Sequence, residues 1–138
     1  MKKEFKHKAL KLSDKKPIIF TALSKKNFYM RFLIVRFVLE NDGIPMNPFM
    51  AFDYYLADTV DRDIIRNANN NLVAMAEELW VFGDISNGIL AEIKQFQKLR
   101  RKIRFFKIEN DKDFVEIRGR ETKMEEDVKT FKHLMENI

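Results

Sequence analysis

Glu92 is the residue whose type and spacing most demand a chemical explanation. In a helix running from Ile89 to Arg100, the apolar residues Ile89, Ile93, Phe96 and Leu99 define a buried stripe, and Glu92 falls inside it. A carboxylate buried without a partner is costly and its pKa rises, so the position requires a reason. Two stay open on spacing alone: a structural one, in which a first-turn glutamate caps free N–H groups and complements the helix dipole, and a catalytic one. Just ahead of it, Ser86, Asn87 and Gly88 stand where a helix N-terminus presents free backbone N–H groups, an arrangement suited to a phosphate. The lysine and outer glycine of a P-loop are missing, and no glycine-rich dinucleotide fingerprint follows the first strand. ATP hydrolysis and NAD binding lose support, and no cofactor is expected.

The remaining composition narrows the chemistry further. The chain contains no cysteine, which excludes disulfides, thiol catalysis and thiolate metal sites, and its two histidines, His7 and His133, lie near opposite ends. No metal site is expected, and any acid, base or nucleophile must come mainly from Asp, Glu, Tyr, Ser or Lys. Residues 1–16 hold seven Lys against two acidic residues, whereas residues 17–138 hold 19 basic and 19 acidic residues. The net charge of +5 therefore belongs to a basic N-terminal arm, residues 1–16, ahead of a neutral body at 17–138. Such an arm reads first as a solubilising tail; with Phe5 its only aromatic, base stacking has little support and nucleic acid is not the expected partner. No segment approaches the ~20 apolar residues of a membrane span, and the Lys-rich start lacks the apolar block of a signal peptide. A cytoplasmic setting without membrane attachment is the expectation.

The elements that must position these residues alternate. Pro17 to Ala22 reads as a first strand, and Lys25 to Asn41 as a helix carrying Phe28, Phe32, Val35 and Leu39, stopped by Asn41-Asp42-Gly43. Met30, Leu33, Phe37 and Val38 occupy the other side of that helix, so it is expected to be covered on more than one side, by the sheet and by a partner subunit. Ile44 to Pro48 reads as a short strand entering a loop, followed by the aromatic segment with Phe49, Phe52, Tyr54 and Tyr55. Asp58 to Glu77 reads as a helix with Val60, Ile64, Ala68, Leu72 and Met75 on one side and a break near Asn69-Asn70-Asn71. Glu78 to Gly83 is a strand, Lys102 to Ile108 another, Phe114 to Ile117 a short one, and Glu121 to Ile138 an amphipathic helix through Met124, Val128, Phe131 and Met135. This order predicts an α/β fold: a single doubly wound domain with a mostly parallel sheet and helices on both faces. In such sheets the ligand crevice lies beyond the carboxyl ends of the strands, so chemistry is expected in the loops after Ala22, Met46 and Gly83.

The segment Glu78-Leu-Trp-Val-Phe-Gly-Asp-Ile-Ser-Asn-Gly-Ile-Leu-Ala-Glu-Ile93 resembles the signature of the nucleoside 2-deoxyribosyltransferase superfamily, which includes the 2′-deoxynucleoside 5′-phosphate N-hydrolases. Its most specific element is Ser86-x-Gly88-x-x-x-Glu92. The resemblance extends over roughly residues 17–108, with Ile18 to Ser24 similar to the first strand and substrate loop; the arm and the last thirty residues lie outside it. It implies that Glu92 is the nucleophile, attacking the anomeric carbon of a nucleoside or nucleotide to form a glycosyl ester that water or another base resolves. It also implies substrate contacts from Thr21, Ala22, Ser24, Asp84, Ser86, Asn87 and Gly88, with a 5′-monophosphate on Ser86, Gly88 and the helix N-terminus. A homo-oligomer, commonly a dimer, is implied as well.

One departure separates the readings. The family carries an aspartate about eight residues before the acidic residue opening the third strand, and counting back from Glu78 lands on Asn70. An amide donates no catalytic proton, so either Asp63 serves instead or base departure is unassisted; helical phase favours Asn71 over Asn70 as the inward residue. Two functional readings follow: cleavage of an N-glycosidic bond by hydrolysis or transfer, with Asn70 or Asp63 beside Glu92, or a catalytically weak nucleotide-binding sensor or regulatory module. A nucleic-acid accessory role through the basic arm ranks last.

Overall fold

The computed structural model describes residues 2–52 and 59–138. Tyr54, Tyr55 and the expected helix start at Asp58 lie outside the described residues. Five strands form one sheet: β1 (Ile18–Leu23), β2 (Ile44–Met46), β3 (Glu78–Phe82), β4 (Lys102–Glu109) and β5 (Asp113–Ile117), in the order β2-β1-β3-β4-β5. The first four run parallel and β5 returns antiparallel to β4. The α/β, mostly parallel, doubly wound architecture is thus as the alternation predicts.

The pleat divides the core between two faces. Phe20, Ala22, Leu79, Val81 and Phe105 face a layer made by α3 (Arg62–Met75), α4 (Asn87–Lys98) and the C-terminal segment. Ile19, Leu23, Trp80, Phe82 and Phe106 face α1 (Arg31–Glu40), where Phe37 makes edge-on contacts with Trp80, Phe82, Phe106 and Phe114. Much of the chain's phenylalanine is consumed in this second core. Arg104 completes it at the margin, stacked over Trp80 and forked onto Glu116 by two 2.8 Å hydrogen bonds.

Several helical expectations are corrected. Residues Lys25–Met30 form 3-10 turns, and only Arg31–Glu40 is α-helical. The inward residues there are Met30, Ile34 and Val38, while Phe32 and Leu39 are exposed. An all-round apolar helix offers no unique phase from sequence, and the aromatic sheet face selects the one that inserts Phe37. Helix α3 continues unbroken through Asn69-Asn70-Asn71, its register rotated so that Ile64 and Met75 are exposed and Val73 is buried. Helix α4 buries Leu90 with Ile89, Ile93 and Phe96, leaving Leu99 exposed. The last segment forms 3-10 turns at Glu126–Met135 in place of an α-helix; Met124, Val128 and Met135 are buried but Phe131 is not. A one-turn helix, α2 (Pro48–Ala51), follows β2, capped by the Asn47 side chain. Among the described residues no helix is long and apolar enough to cross a membrane.

Candidate functional site

The strand order places a switch point between β1 and β3: the connection from β1 leaves toward β2, and the chain returns across the sheet to reach β3. Crevices form at such points because successive connections diverge to opposite faces. A cleft of about 890 Å³ opens there, lined from the loop after β1 by Ser24, Lys25 and Lys26, from beyond β2 by Pro48, Phe49 and Phe52, and from beyond β3 by Ser86, Asn87 and Gly88. Helices α3 and α4 supply its side wall.

Gly83 turns the chain into this site. Its φ of +82° is the left-handed region, which favours glycine; a Cβ there would also sit 2.6 Å from Asn27 Nδ2, the end of a side chain that would have to shift. Ser86 then caps α4, its Oγ accepting from the Ile89 amide at 3.3 Å. The cap task that sequence left open to Glu92 is therefore performed by Ser86. Asn87 and Gly88 are exposed at the positive end of α4, and a Cβ built on Gly88 meets nothing within 4 Å. Lys25, Lys26, Arg62 and Arg66 also line the cleft, together with the carboxylates Glu125 and Asp127; Arg66 is paired with Asp63 and Lys26 stands 4.0 Å from Glu125.

Glu92 lies in the second turn of α4, partly buried on the cleft wall. Its Oε2 accepts one hydrogen bond, from Asn69 Nδ2 of α3 at 3.0 Å. Burial pushes its carboxyl up to about 7, and the Asn69 amide opposes the shift by favouring the charged form. A carboxyl raised in this way is suited to exchanging a proton near neutrality, whereas nucleophilic attack requires its ionised form, which the Asn69 amide favours. Beside it, Gln95 Nε2 donates to Asn70 Oδ1 at 2.7 Å, forming a second amide link between the same helices.

The structure brings Thr21, Ala22, Ser24, Ser86, Asn87, Gly88, Asn70 and Glu92 to this one cleft. It leaves two candidates out. Asp63 is exposed near the start of α3, paired with Arg66 at 2.9 Å, and Asp84 is exposed in the loop after β3; neither lines the cleft. Asn71 is also turned away, donating to the Asn67 carbonyl at 2.8 Å. The amide that meets Glu92 is Asn69, and the signal for it was the spacing Ile65-Asn69-Val73: a stripe taken through Val73 instead of Ile64 and Met75 places Asn69 inward. Glu125 and Asp127, from the C-terminal segment, line the cleft with no local sequence signal. Among the described residues no group of three His, Asp or Glu gathers closely enough to hold a metal ion.

Comparison with known proteins yields no match to a curated protein and none to a solved structure. One family model does match, over residues 20–106, which run from β1 through β4 and so include Ser24, Asn69, Ser86 and Glu92. That span is more than half of the chain, and the protein therefore belongs to the family described as the domain of unknown function DUF7768.

Proposed function

We propose that this protein cleaves the N-glycosidic bond of a nucleoside or nucleoside 5′-monophosphate, with Glu92 as nucleophile. The observation that carries the reading is that one cleft at the switch point holds both the Glu92 carboxyl and the open N-terminus of the helix that bears it. A phosphate on Ser86, Asn87 and Gly88 sets the sugar alongside the next two turns of α4, where Glu92 stands. As the C1′–N bond breaks, its electron pair leaves with the base, and a Glu92 oxygen forms the ester bond to C1′. The fixed anion stabilises the oxocarbenium-like transition state, and water or an acceptor base then displaces Glu92. The resemblance of Ser86-x-Gly88-x-x-x-Glu92 to the nucleoside 2-deoxyribosyltransferase superfamily supports the same reading. A cytosolic setting belongs to the proposal, since nucleotides are the substrate class. So does a homo-oligomer, supported by the exposed Tyr29, Phe32 and Leu39 beside and on α1 and testable by sedimentation.

One observation favours a second reading, a nucleotide-binding module with weak turnover. The side chains linked to Glu92 and beside it, Asn69 and Asn70, are amides, and an amide supplies no proton to the departing base. Base release from a panel of nucleosides and monophosphates separates the two. On the first reading the wild-type chain releases free base and Glu92→Gln lowers kcat by at least about 10³-fold, roughly 4 kcal/mol. Full activity in Glu92→Gln removes the mechanism. Thermal stabilisation by a monophosphate without base release selects the second reading.

A further inference from the structure

The segment after β5 lies outside the matched span, yet it forms part of the cleft wall. It is bound firmly. Ile85 and Met124 pair as a parallel bridge, with the Ile85 amide donating to the Lys123 carbonyl and the Glu125 amide to the Ile85 carbonyl, both at 2.9 Å. Met124, Val128 and Met135 enter the core, and the backbone at Gly119 approaches Ile138 so closely that a Cβ would lie 2.9 Å from its carbonyl oxygen. What this docking delivers to the site is Glu125, its side chain only 16% exposed.

Glu125 is held by one oxygen and free at the other. Its Oε2 accepts from Ser24 Oγ at 2.6 Å and stands 4.0 Å from Lys26 Nζ; among the described residues Oε1 has no partner. Ser24 is the first residue beyond β1, so the clamp spans the switch point from β1 to the C-terminal segment. A carboxylate repels phosphate, and the neighbouring Lys26 ammonium disfavours a bound cation, so the free oxygen suits a neutral donor. Position selects which one. Glu125 is tied to Ile85, the residue before Ser86, and so stands at the phosphate-binding end of α4; Asn69, Asn70 and Gln95 stand farther along, by Glu92. In a nucleotide the sugar lies next to the phosphate and the base lies beyond it.

We propose that Glu125 is a specificity-determining residue whose free Oε1 accepts a hydrogen bond from a ring hydroxyl of the substrate sugar, with Ser24 as its positioning partner. The inference rests on the nucleotide reading of the cleft and adds to it the group that reads the sugar.

Equilibrium binding by calorimetry tests it, using the full chain carrying Glu92→Gln so that no turnover intervenes. The probes are three monophosphates of one base, built on ribose, 2′-deoxyribose and 2′,3′-dideoxyribose. The expected result is at least about ten-fold weaker binding of the dideoxy compound than of the tighter hydroxylated one, in line with a hydrogen bond to a charged group. Adding Glu125→Ala brings that ratio within two-fold, and Ser24→Ala lowers it partway; should Glu125→Ala loosen the C-terminal segment, seen as a lowered melting temperature, Glu125→Met, which keeps the side chain's length but has no oxygen acceptor, takes its place. Equal binding of all three probes, no binding of any, or a ratio that survives loss of Glu125 overturns the proposal. Base release by the wild-type chain judges the cleavage reading separately. Hydroxyl-dependent binding without base release sustains Glu125 and removes catalysis, whereas base release insensitive to Glu125 and to the hydroxyls does the reverse.

Discussion

Asn69 donates its side-chain amide to Glu92 across 3.0 Å, joining two helices between which the chain crosses strand β3. A hydrogen bond to the charged form of a carboxyl lowers its pKa, so this contact works against the burial that raises Glu92 to about 7. Removing it in Asn69→Ala therefore raises the pKa further, by up to about one unit for a bond of ordinary strength. Under the proposed mechanism the nucleophile acts as the carboxylate, so kcat/KM is expected to rise with pH through the Glu92 pKa. Asn69→Ala is expected to shift that limb to higher pH, with up to about ten-fold lower activity at pH 6 and little change at pH 9. A pH–rate profile checks this, and an unmoved midpoint contradicts it.

Glu92 also links stability to pH. Its folded-state pKa, about 7, lies above the usual 4.5, so the native state holds the proton more tightly than the unfolded chain. The stability contributed by that proton is fully present below pH 4.5 and is lost as pH rises through 7. Glu92→Gln is spared the loss. Relative to wild type, its stability should therefore increase between pH 4.5 and 8 by up to about 3 kcal/mol, measured by urea unfolding across that range. A difference independent of pH would show that Glu92 titrates normally.

Gly88→Ala should separate folding from binding. The added methyl meets no protein atom within 4 Å and replaces glycine inside a helix, so stability should rise by up to about 1 kcal/mol. The same methyl projects at the helix end where a phosphate is proposed, so monophosphate affinity should fall by about ten-fold or more. Unfolding and calorimetric titration of the same variant read the two effects.

Arg101 secures the end of α3. Its Nη1 donates to the carbonyls of Val73, Ala74 and Ala76 at 3.1, 2.8 and 2.5 Å, bringing a charged donor to oxygens at the helix end, of which Val73's also accepts from the Ala76 amide at 3.2 Å. Arg101→Ala should cost about 1–3 kcal/mol in denaturant unfolding, as partly buried acceptors lose a charged donor.

Asp63→Ala is expected to leave base release within two-fold of wild type. Its carboxylate is 85% exposed and paired with Arg66, outside the cleft lining. A large loss would return a carboxylic acid to the mechanism and displace the amides from it.

The alternation of strands and helices, and the loops that line the cleft, were legible from sequence because Pro17 and Gly43 stand just before, and Gly83 just after, a strand and mark its limit by local sterics. Ser86, Gly88 and Glu92 were legible for a related reason: they share one helix, and helical geometry relates them without help from the rest of the fold. What local pattern left undetermined was rotation. Helix α1 has apolar residues on most of its circumference, so it has no single phase until the sheet face selects one, which is why Phe32 points outward; on α3 the stripe through Ile65 and Val73, not the one through Ile64 and Met75, is the inward one, which is why Asn69 replaces Asn71 as the inward amide. Contacts between distant segments belong to tertiary structure alone. Ser24 and Glu125 are 101 residues apart, and only the docking of the C-terminal segment beside the loop after β3 brings them within 2.6 Å. Sequence by itself thus determined the order of elements and the residues of the α4 turn, since both follow from neighbours along the chain; the fold decided which side chains face Glu92 across the cleft, since that depends on how whole helices are turned against the sheet.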